Sequence, residues 1–363
     1  MDALTSWRKT WQCQGPVELR DDDRALRLTL DVPAHAAILR KHLNRNGQAV
    51  LTEAPPEDGF GWIGGRVHEV AVPMTSTRPP SPNPLTGRLP VQRNRTLGPL
   101  PAAPNAFWVN VRLYAHPDLH DELITQSLTA FTPRLHGCPD WWFIRYRTPH
   151  GADHIRLRIR AASAGQRSAY TEAIGNWAAI LHDHGVISDL AFTTYTPEIG
   201  RYGNGRAMAH AEAVFVADSY FAATALGGVA TPGVDGQALT AVGMVDMARG
   251  LLGDDEGLRW LAERPVPAAA GRAATDQAIA LVRTGSPASH GWPASLTDAW
   301  HRRGDALTRY REYLDDAMDV DAVLESLLHM HHNRMRGVNR DDEKACRRIA
   351  RQTAIACLAW PEA

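Results

Sequence analysis

An α+β fold is predicted by three observations on this sequence. Short runs with a period of two recur before about residue 200, and helical spacing dominates beyond about residue 210. A proline-rich stretch also parts a short N-terminal region from the rest.

Taken in order, Leu26, Leu28 and Leu30 alternate with Arg27 and Thr29 as a strand. Residues 34–43 have helical spacing, with His35, Ile38, Leu39 and His42 near one face. Residues 48–52 and 61–72 suggest two more strands, the second carrying Trp62, Val67, Val70 and Val72. Nine prolines then fall between Pro73 and Pro104, a composition that favours an extended connector. The expected organisation is a small α+β unit at 1–72, a connector at 73–106 and a larger domain at 107–363.

In the larger domain, 108–114 reads as a strand and 120–128 as a helix with Leu123, Ile124 and Leu128 inward. Residues 141–147 and 154–160 are strands separated by a turn at Pro149 and Gly151. Residues 170–182 are then helical, and 186–195 a strand. The order β-α-β-β-α-β predicts a ferredoxin-like, split-βαβ sheet. Helices are expected at 210–226, 236–252, 296–314, 322–335 and 341–358, the last capped by Asp341.

Composition narrows the function classes. The chain has 363 residues, is 44% apolar and carries a formal net charge of −1, so no basic field argues for nucleic acid or anionic lipid. Lysine occurs only at 9, 41 and 344; the preference for arginine reads first as the imprint of a GC-rich genome. Cys13, Cys138, Cys346 and Cys357 form no CxxC pair, which argues against a zinc cluster. No apolar run approaches the length of a membrane span, so a cytoplasmic location is expected.

Three motifs carry chemistry. In His154-Ile155-Arg156-Leu157-Arg158-Ile159-Arg160, apolar residues alternate with one imidazole and three guanidiniums, spaced ~7 Å apart on one face. Arginine suits bidentate grip on a carboxylate, phosphate or oxyanion, although a solvated edge strand would look similar. The second motif is Tyr195-Thr196-Pro197-Glu198-Ile199-Gly200-Arg201-Tyr202-Gly203-Asn204-Gly205. Its glycines allow sharp turns that direct polar groups into a cleft, or Glu198 and Arg201 simply pair with each other. The third is Leu328-His329-Met330-His331-His332-Asn333-Arg334, where His329 and His332 share a helix face. HExxH is absent and no further ligand lies near in sequence, so no metal is expected. His329 is instead a candidate acid/base group, or one of two helix-packing histidines.

The sequence from about Phe107 to Leu358 resembles the glutamate-elimination domain of class I lantibiotic dehydratases, the thiopeptide-type bacteriocin biosynthesis domain. The resemblance rests on WWFIRY with HIRLRIR, on YTPEIGRYGN and on LLHMHHNRMRG, in that order. The earlier LTEAPPEDGFGWIGGRVHEVAVP looks like the end of a glutamylation domain, as if the chain were the elimination half of a split enzyme.

The resemblance implies that glutamate is eliminated from O-glutamyl Ser or Thr in a ribosomal precursor peptide, leaving dehydroalanine or dehydrobutyrine. The partners implied are that peptide and a glutamyl-tRNA-dependent glutamylating protein. No cofactor, nucleic acid or membrane is implied, and relatives often dimerise. Matched by motif position, Arg156, Arg158 and Arg201 form a carboxylate and oxyanion clamp, with Glu198 beside them and His329 as acid/base. His154, Tyr195, Tyr202, His332, Asn333 and Arg334 are the expected substrate-binding neighbours. Two other roles remain open: a pyridine synthase that joins two dehydroalanines in a formal [4+2] cycloaddition and expels the leader, and a non-catalytic peptide-binding partner.

Overall fold

The computed structural model describes residues 2–21, 24–54, 74, 103, 105–148, 152–227, 233–266, 271–284, 291–314 and 318–359. Contacts divide the chain into two compact units, 1–82 and 83–363.

The first unit contains α1 (Asp2–Thr10), β1 (Val17–Asp21), β2 (Arg24–Leu28), α2 (Pro33–Asn46) and β3 (Val50–Glu53). Its antiparallel sheet has the order β2-β1-β3. Val17, Leu19, Leu28, Leu30 and Leu39 form its core. The helix α1 and strand β1 were not foreseen, and Leu26 of the predicted strand and Ile38 of the predicted helix face are 49% and 41% exposed. The strand predicted at 61–72 and the turn at Pro149 and Gly151 lie outside the described residues, as does most of the predicted connector.

The second unit opens with β4 (Trp108–Tyr114). A helical passage follows through α3 (His120–Glu122), a π-helical turn (Leu123–Leu128) and α4 (Thr129–Phe131). Then come β5 (Trp141–Arg147), β6 (Asp153–Arg160), α5 (Ala164–Asp183) and β7 (Asp189–Phe192). Every neighbouring pair is antiparallel and the order is β5-β6-β4-β7, the arrangement the predicted split-βαβ order requires. The period of two sorts the side chains cleanly. Val109, Val111, Leu113, Phe143, Ile155, Leu157 and Ile159 enter one core with Ile124, Leu128, Tyr170 and Ile174. Each such side chain contributes roughly 1.5–3 kcal/mol by leaving water. The opposite face carries Trp108, Asn110 and Arg112 of β4, Trp142 and Ile144 of β5, and Arg156 and Arg158 of β6.

Helices build on that second face: α6 (Ile199–Tyr202), α7 (Arg206–Leu226), α8 (Gly236–Leu252), α9 (Asp254–Glu263), α10 (Arg272–Arg283), α11 (Ala294–Arg311), α12 (Val320–Arg336) and α13 (Arg340–Ala359). Their core joins Met208, Val214 and Phe215 of α7 with Met244, Leu324, Leu328 and Ile349. The short α6 and the helices α9 and α10 were not predicted. The cap of α13 is also different from the one expected: Asn339 Oδ1 accepts from the backbone N–H of Asp341 and Asp342, so Asp341 lies inside the first turn.

The α8–α9 corner depends on a residue without a side chain. A Cβ on Gly257 would stand 2.5 Å from the backbone carbonyl of Ala248 and 2.6 Å from the Arg249 nitrogen, neither of which can turn aside. Gly257→Ala is therefore expected to cost about 1–3 kcal/mol in chemical denaturation. A wild-type midpoint would show that the corner yields.

Candidate functional site

The arginine strand faces a cavity of about 250 Å³ between the sheet and the helical half. Asn110 and Arg112 of β4, Trp142 and Ile144 of β5, and Arg156 and Arg158 of β6 supply the sheet wall. The segment after β7 supplies Thr194, Tyr195, Thr196 and Glu198, α6 supplies Tyr202, and α12 supplies Met330 and Arg334. The strand predicted at 186–195 is shorter in the structure: β7 ends at Phe192, so Tyr195 lies beyond it, in the segment along the cavity.

Within this wall Arg158 is 6% exposed, with its guanidinium 4.1 Å above the Trp142 ring. Its Nη1 donates to the Arg156 carbonyl at 3.2 Å. Burial pulls its pKa down to about 9, with Tyr195 the leading opposing influence, so it remains cationic at neutral pH. Arg156 lies 3.4 Å over the Tyr146 ring and donates from Nε to His154 Nε2 at 3.2 Å. Burial holds His154 down at about 4, so at neutral pH the ring is the neutral acceptor that aims Arg156. His154 itself is fully buried and does not line the cavity.

Among the described residues, Arg112, Arg156 and Arg158 form no ion pair with a carboxylate. Five buried polar atoms of cavity residues also make no hydrogen bond there: Asn110 Oδ1, Arg112 Nε, Trp142 Nε1, Arg158 Nε and Arg334 Nη2. Four of the five are donors, and buried donors without acceptors are costly; that their residues line one cavity suits it to an anion. Asn110 and Arg112 were absent from the sequence prediction. Their signal was the same alternation in β4, Trp108-Val109-Asn110-Val111-Arg112-Leu113, on the strand that pairs with the arginine strand.

The second motif is only partly in the cavity. Glu198, Tyr195 and Tyr202 line it, whereas Arg201 does not and pairs with Glu198 at 3.1 Å, both side chains about half exposed. Burial pushes the Tyr202 phenol up to about 12. The turn needs Gly203: its φ is +87°, and a Cβ there would lie 2.6 Å from that of Ala207.

Helix α12 corrects the third expectation. Its cavity face is Met330 and Arg334, four residues apart, and the histidines point elsewhere. His329 is half exposed and bonds Glu343 through Nδ1 at 2.8 Å, while buried His332 bonds Asp342 through Nε2 at 2.9 Å, both partners on α13. His331 reaches buried Asp218 on α7 at 2.7 Å. Asn333 has a packing role: its amide accepts from the Arg145 N–H at 2.8 Å and donates to the Arg145 carbonyl at 2.7 Å, fastening α12 to β5. Arg334 is fastened by Phe143 O, Ser219 Oγ and Asp218, yet keeps Nη2 unpaired.

His332, Asp342 and Cys346 approach closely enough to be considered as metal ligands. Asp342 is already engaged by Arg336 at 3.1 Å and Gln237 at 2.8 Å, and burial raises the Cys346 thiol beyond easy ionisation. The donor set suits a hydrogen-bonded brace better than a cation. Burial alone would raise Asp342 and Glu343, but the bonds from Arg336 and Gln237 to the first and from His329 to the second outweigh it, holding both at about 2. Carboxylates depressed in the folded state stabilise it above their ordinary pKa. The contribution of Glu343 should therefore fade as pH falls from 4.5 through 2. Acid denaturation followed by circular dichroism should show a stability loss over that window that Glu343→Gln lacks; an equal loss in the variant would contradict it.

The sequence profile of the lantibiotic biosynthesis dehydratase C-terminal family matches residues 108–354. Over 114 residues the chain is 32% identical to the subtilin biosynthesis protein SpaB of Bacillus subtilis, a stretch covering 31% of this chain and 11% of that protein. The crystal structure of the tRNA-dependent lantibiotic dehydratase MibB from Microbispora sp. 107891 superposes with a TM-score of 0.61 and 22% identity, a likeness of fold. It covers 99% of this chain, which spans 38% of that protein. The pyridine synthase TbtD of thiomuracin biosynthesis gives a TM-score of 0.43 at 16% identity, covering 68% of this chain and 97% of its own. With its profile matched through most of the sheet and the helices built on it, this chain belongs to the lantibiotic biosynthesis dehydratase C-terminal family.

Proposed function

We propose that the chain eliminates glutamate from O-glutamyl Ser or Thr in a ribosomally made precursor peptide, leaving dehydroalanine or dehydrobutyrine, after a glutamyl-tRNA-dependent partner has installed the ester. The observation that carries this reading is Arg112, Arg156 and Arg158 around one cavity, with no carboxylate partner among the described residues. Elimination removes the Cα proton, forms the Cα–Cβ double bond and breaks the Cβ–O bond, so the glutamyl group leaves as a carboxylate. Negative charge develops first on the neighbouring carbonyl oxygen and then on the leaving group. Arg112, Arg156, Arg158 and Arg334 are the groups suited to stabilise both.

For the proton, two acceptors come into question. Glu198 lines the cavity but is held by Arg201. His329 hydrogen-bonds Glu343 through Nδ1, which orients the ring and leaves Nε2 as the atom that would take the proton. We assign the base to His329 from its motif position; its ring lies outside the cavity wall, so the assignment requires it to swing past Met330 into the cavity when the peptide is bound.

A purified, singly glutamylated peptide tests both statements by mass spectrometry. Wild type should release glutamate, and His329→Ala should bind the peptide without turning it over. If wild type leaves that ester intact but cyclises a peptide bearing two dehydroalanines and frees its leader, the elimination reading is wrong. If His329→Ala turns over normally, the base is another group.

A further inference from the structure

Resting on the elimination reading and adding where the peptide chain lies, we propose that the precursor peptide docks as an extra strand on the open edge of β7. The argument begins with the order of the sheet. β7 is an edge strand, and β4 is its one strand partner among the described residues. The Thr193 N–H donates to the Asn110 carbonyl at 3.0 Å, continuing a register that sets Ala191 opposite Arg112 and Asp189 opposite Tyr114. In an antiparallel pair, residues bonded to the partner alternate with residues whose backbone groups turn away. Asp189, Ala191 and Thr193 are therefore engaged with β4, while Leu190 and Phe192 direct their backbone groups outward. The Leu190 carbonyl and both the N–H and the carbonyl of Phe192 make no hydrogen bond among the described residues. None of Leu190, Ala191 and Phe192 is fully buried.

An open edge invites aggregation, and proteins blunt it with bulges and charges. β7 carries such devices at its first residues. Ser188 and Asp189 both stand opposite Tyr114, a bulge, with the Ser188 N–H on the Tyr114 carbonyl at 2.8 Å. Asp189 also occupies the Leu190 N–H with its own Oδ1 at 2.7 Å. The end left unguarded is the one that leads to the cavity, where Thr194 and Tyr195 follow as lining residues. Thr194 lies ~7 Å past Phe192 along an extended chain. A strand paired with Leu190 and Phe192 runs ~5 Å from β7, and its next residues come alongside Thr194. The side chains of Leu190 and Phe192 pack on the sheet core, so this edge offers backbone bonds and not an apolar groove. The occupant it fits is an extended peptide. Main-chain pairing makes no demand on the side chains of that peptide and leaves the one to be changed free for the cavity.

Backbone N-methylation of the peptide tests this, because it deletes one main-chain donor at a time. The probe is a fluorescent precursor-derived peptide whose glutamyl ester is replaced by an amide, so that anisotropy reads binding to the full chain without turnover. N-methyl groups at alternate positions on one side of the modified residue should each weaken binding about three- to ten-fold. Those at the positions between should not. A profile without that alternation overturns the docking mode. Phe192→Pro should weaken the unmethylated probe by a like factor, since it removes an outward N–H and spares the bonds of Ala191 and Thr193 to β4. Phe192→Ala loses the same ring but keeps the N–H, so it should bind as wild type does. Equal weakening in both variants would trace the effect to packing and overturn the edge. Sedimentation checks the rival occupant: a wild-type dimer that Phe192→Pro dissociates would give the edge to a second copy and overturn the peptide. The mass-spectrometric assay above separates the two claims. A chain that eliminates glutamate but gives no alternation refutes the edge alone. One that gives the alternation but leaves the ester intact refutes the elimination reading alone.

Discussion

Arg158→Met is expected to slow glutamate elimination by about two to three orders of magnitude, the scale of losing one preorganised donor to a developing oxyanion, without lowering thermal stability. The two halves of this result have one cause. Arg158 is almost wholly buried, has no carboxylate partner among the described residues, and leaves Nε unbonded. The ring of Trp142 and the Arg156 carbonyl only partly compensate the lost hydration. An unpaired buried cation costs folding free energy, so methionine, similar in length and uncharged, should be neutral or stabilising. A structural arginine would behave in the opposite way, lowering the melting temperature and activity together. Thermal denaturation beside single-turnover elimination distinguishes the two, and a lowered melting temperature with normal turnover would remove Arg158 from the site.

Much of this wall was legible in the sequence because a strand's period of two is a local property. HIRLRIR alone determines that Ile155, Leu157 and Ile159 share one face and Arg156 and Arg158 the other, and the structure keeps that division. The same reasoning applied to WVNVRLY would have found Asn110 and Arg112, but an isolated Asn and Arg on a strand stand out less than three guanidiniums in a row. Helix phase proved harder. Three histidines in LLHMHHNRMRG drew attention to themselves, while the residues turned to the cavity are Met330 and Arg334. Only tertiary contacts decide which side of α12 meets the sheet, and one of them, Asn333 on the Arg145 backbone, joins residues 188 apart. The helix α9 had a readable start, with Asp254, Asp255 and Glu256 in its first turn, followed by Leu258 and Leu261. The reading of 1–72 as a remnant and the partner proteins rest on resemblance, since no local pattern encodes them.

The largest effect on stability is expected at Asp218, a residue no sequence motif singled out. It is completely buried on α7 and accepts from Arg303 Nη1 at 3.1 Å, His331 Nδ1 at 2.7 Å and Arg334 Nη1 at 3.0 Å. One carboxylate thus ties α7 to α11 and α12, and through Arg334 to the cavity wall. Burial by itself would raise its pKa, but His331, Arg334 and Arg303 together hold it far below the ordinary carboxylate range. Asp218→Asn keeps the shape, removes the charge, and turns an amide N–H toward groups that are already donors. Two guanidiniums then stay buried with their shared counter-charge gone, a loss of about 3–5 kcal/mol out of the 5–15 kcal/mol typical of a whole domain. Asp246 provides the comparison, since it touches the same Arg303 at 2.9 Å but is itself 20% exposed at the side chain. Asp246→Asn leaves Arg303 paired to Asp218, so its cost should be well below that of Asp218→Asn. Urea denaturation of the two variants checks the order. Equal losses, or an Asp218→Asn variant within about 1 kcal/mol of wild type, would mean that the guanidiniums find other partners and that α7, α11 and α12 are held together by their apolar faces alone.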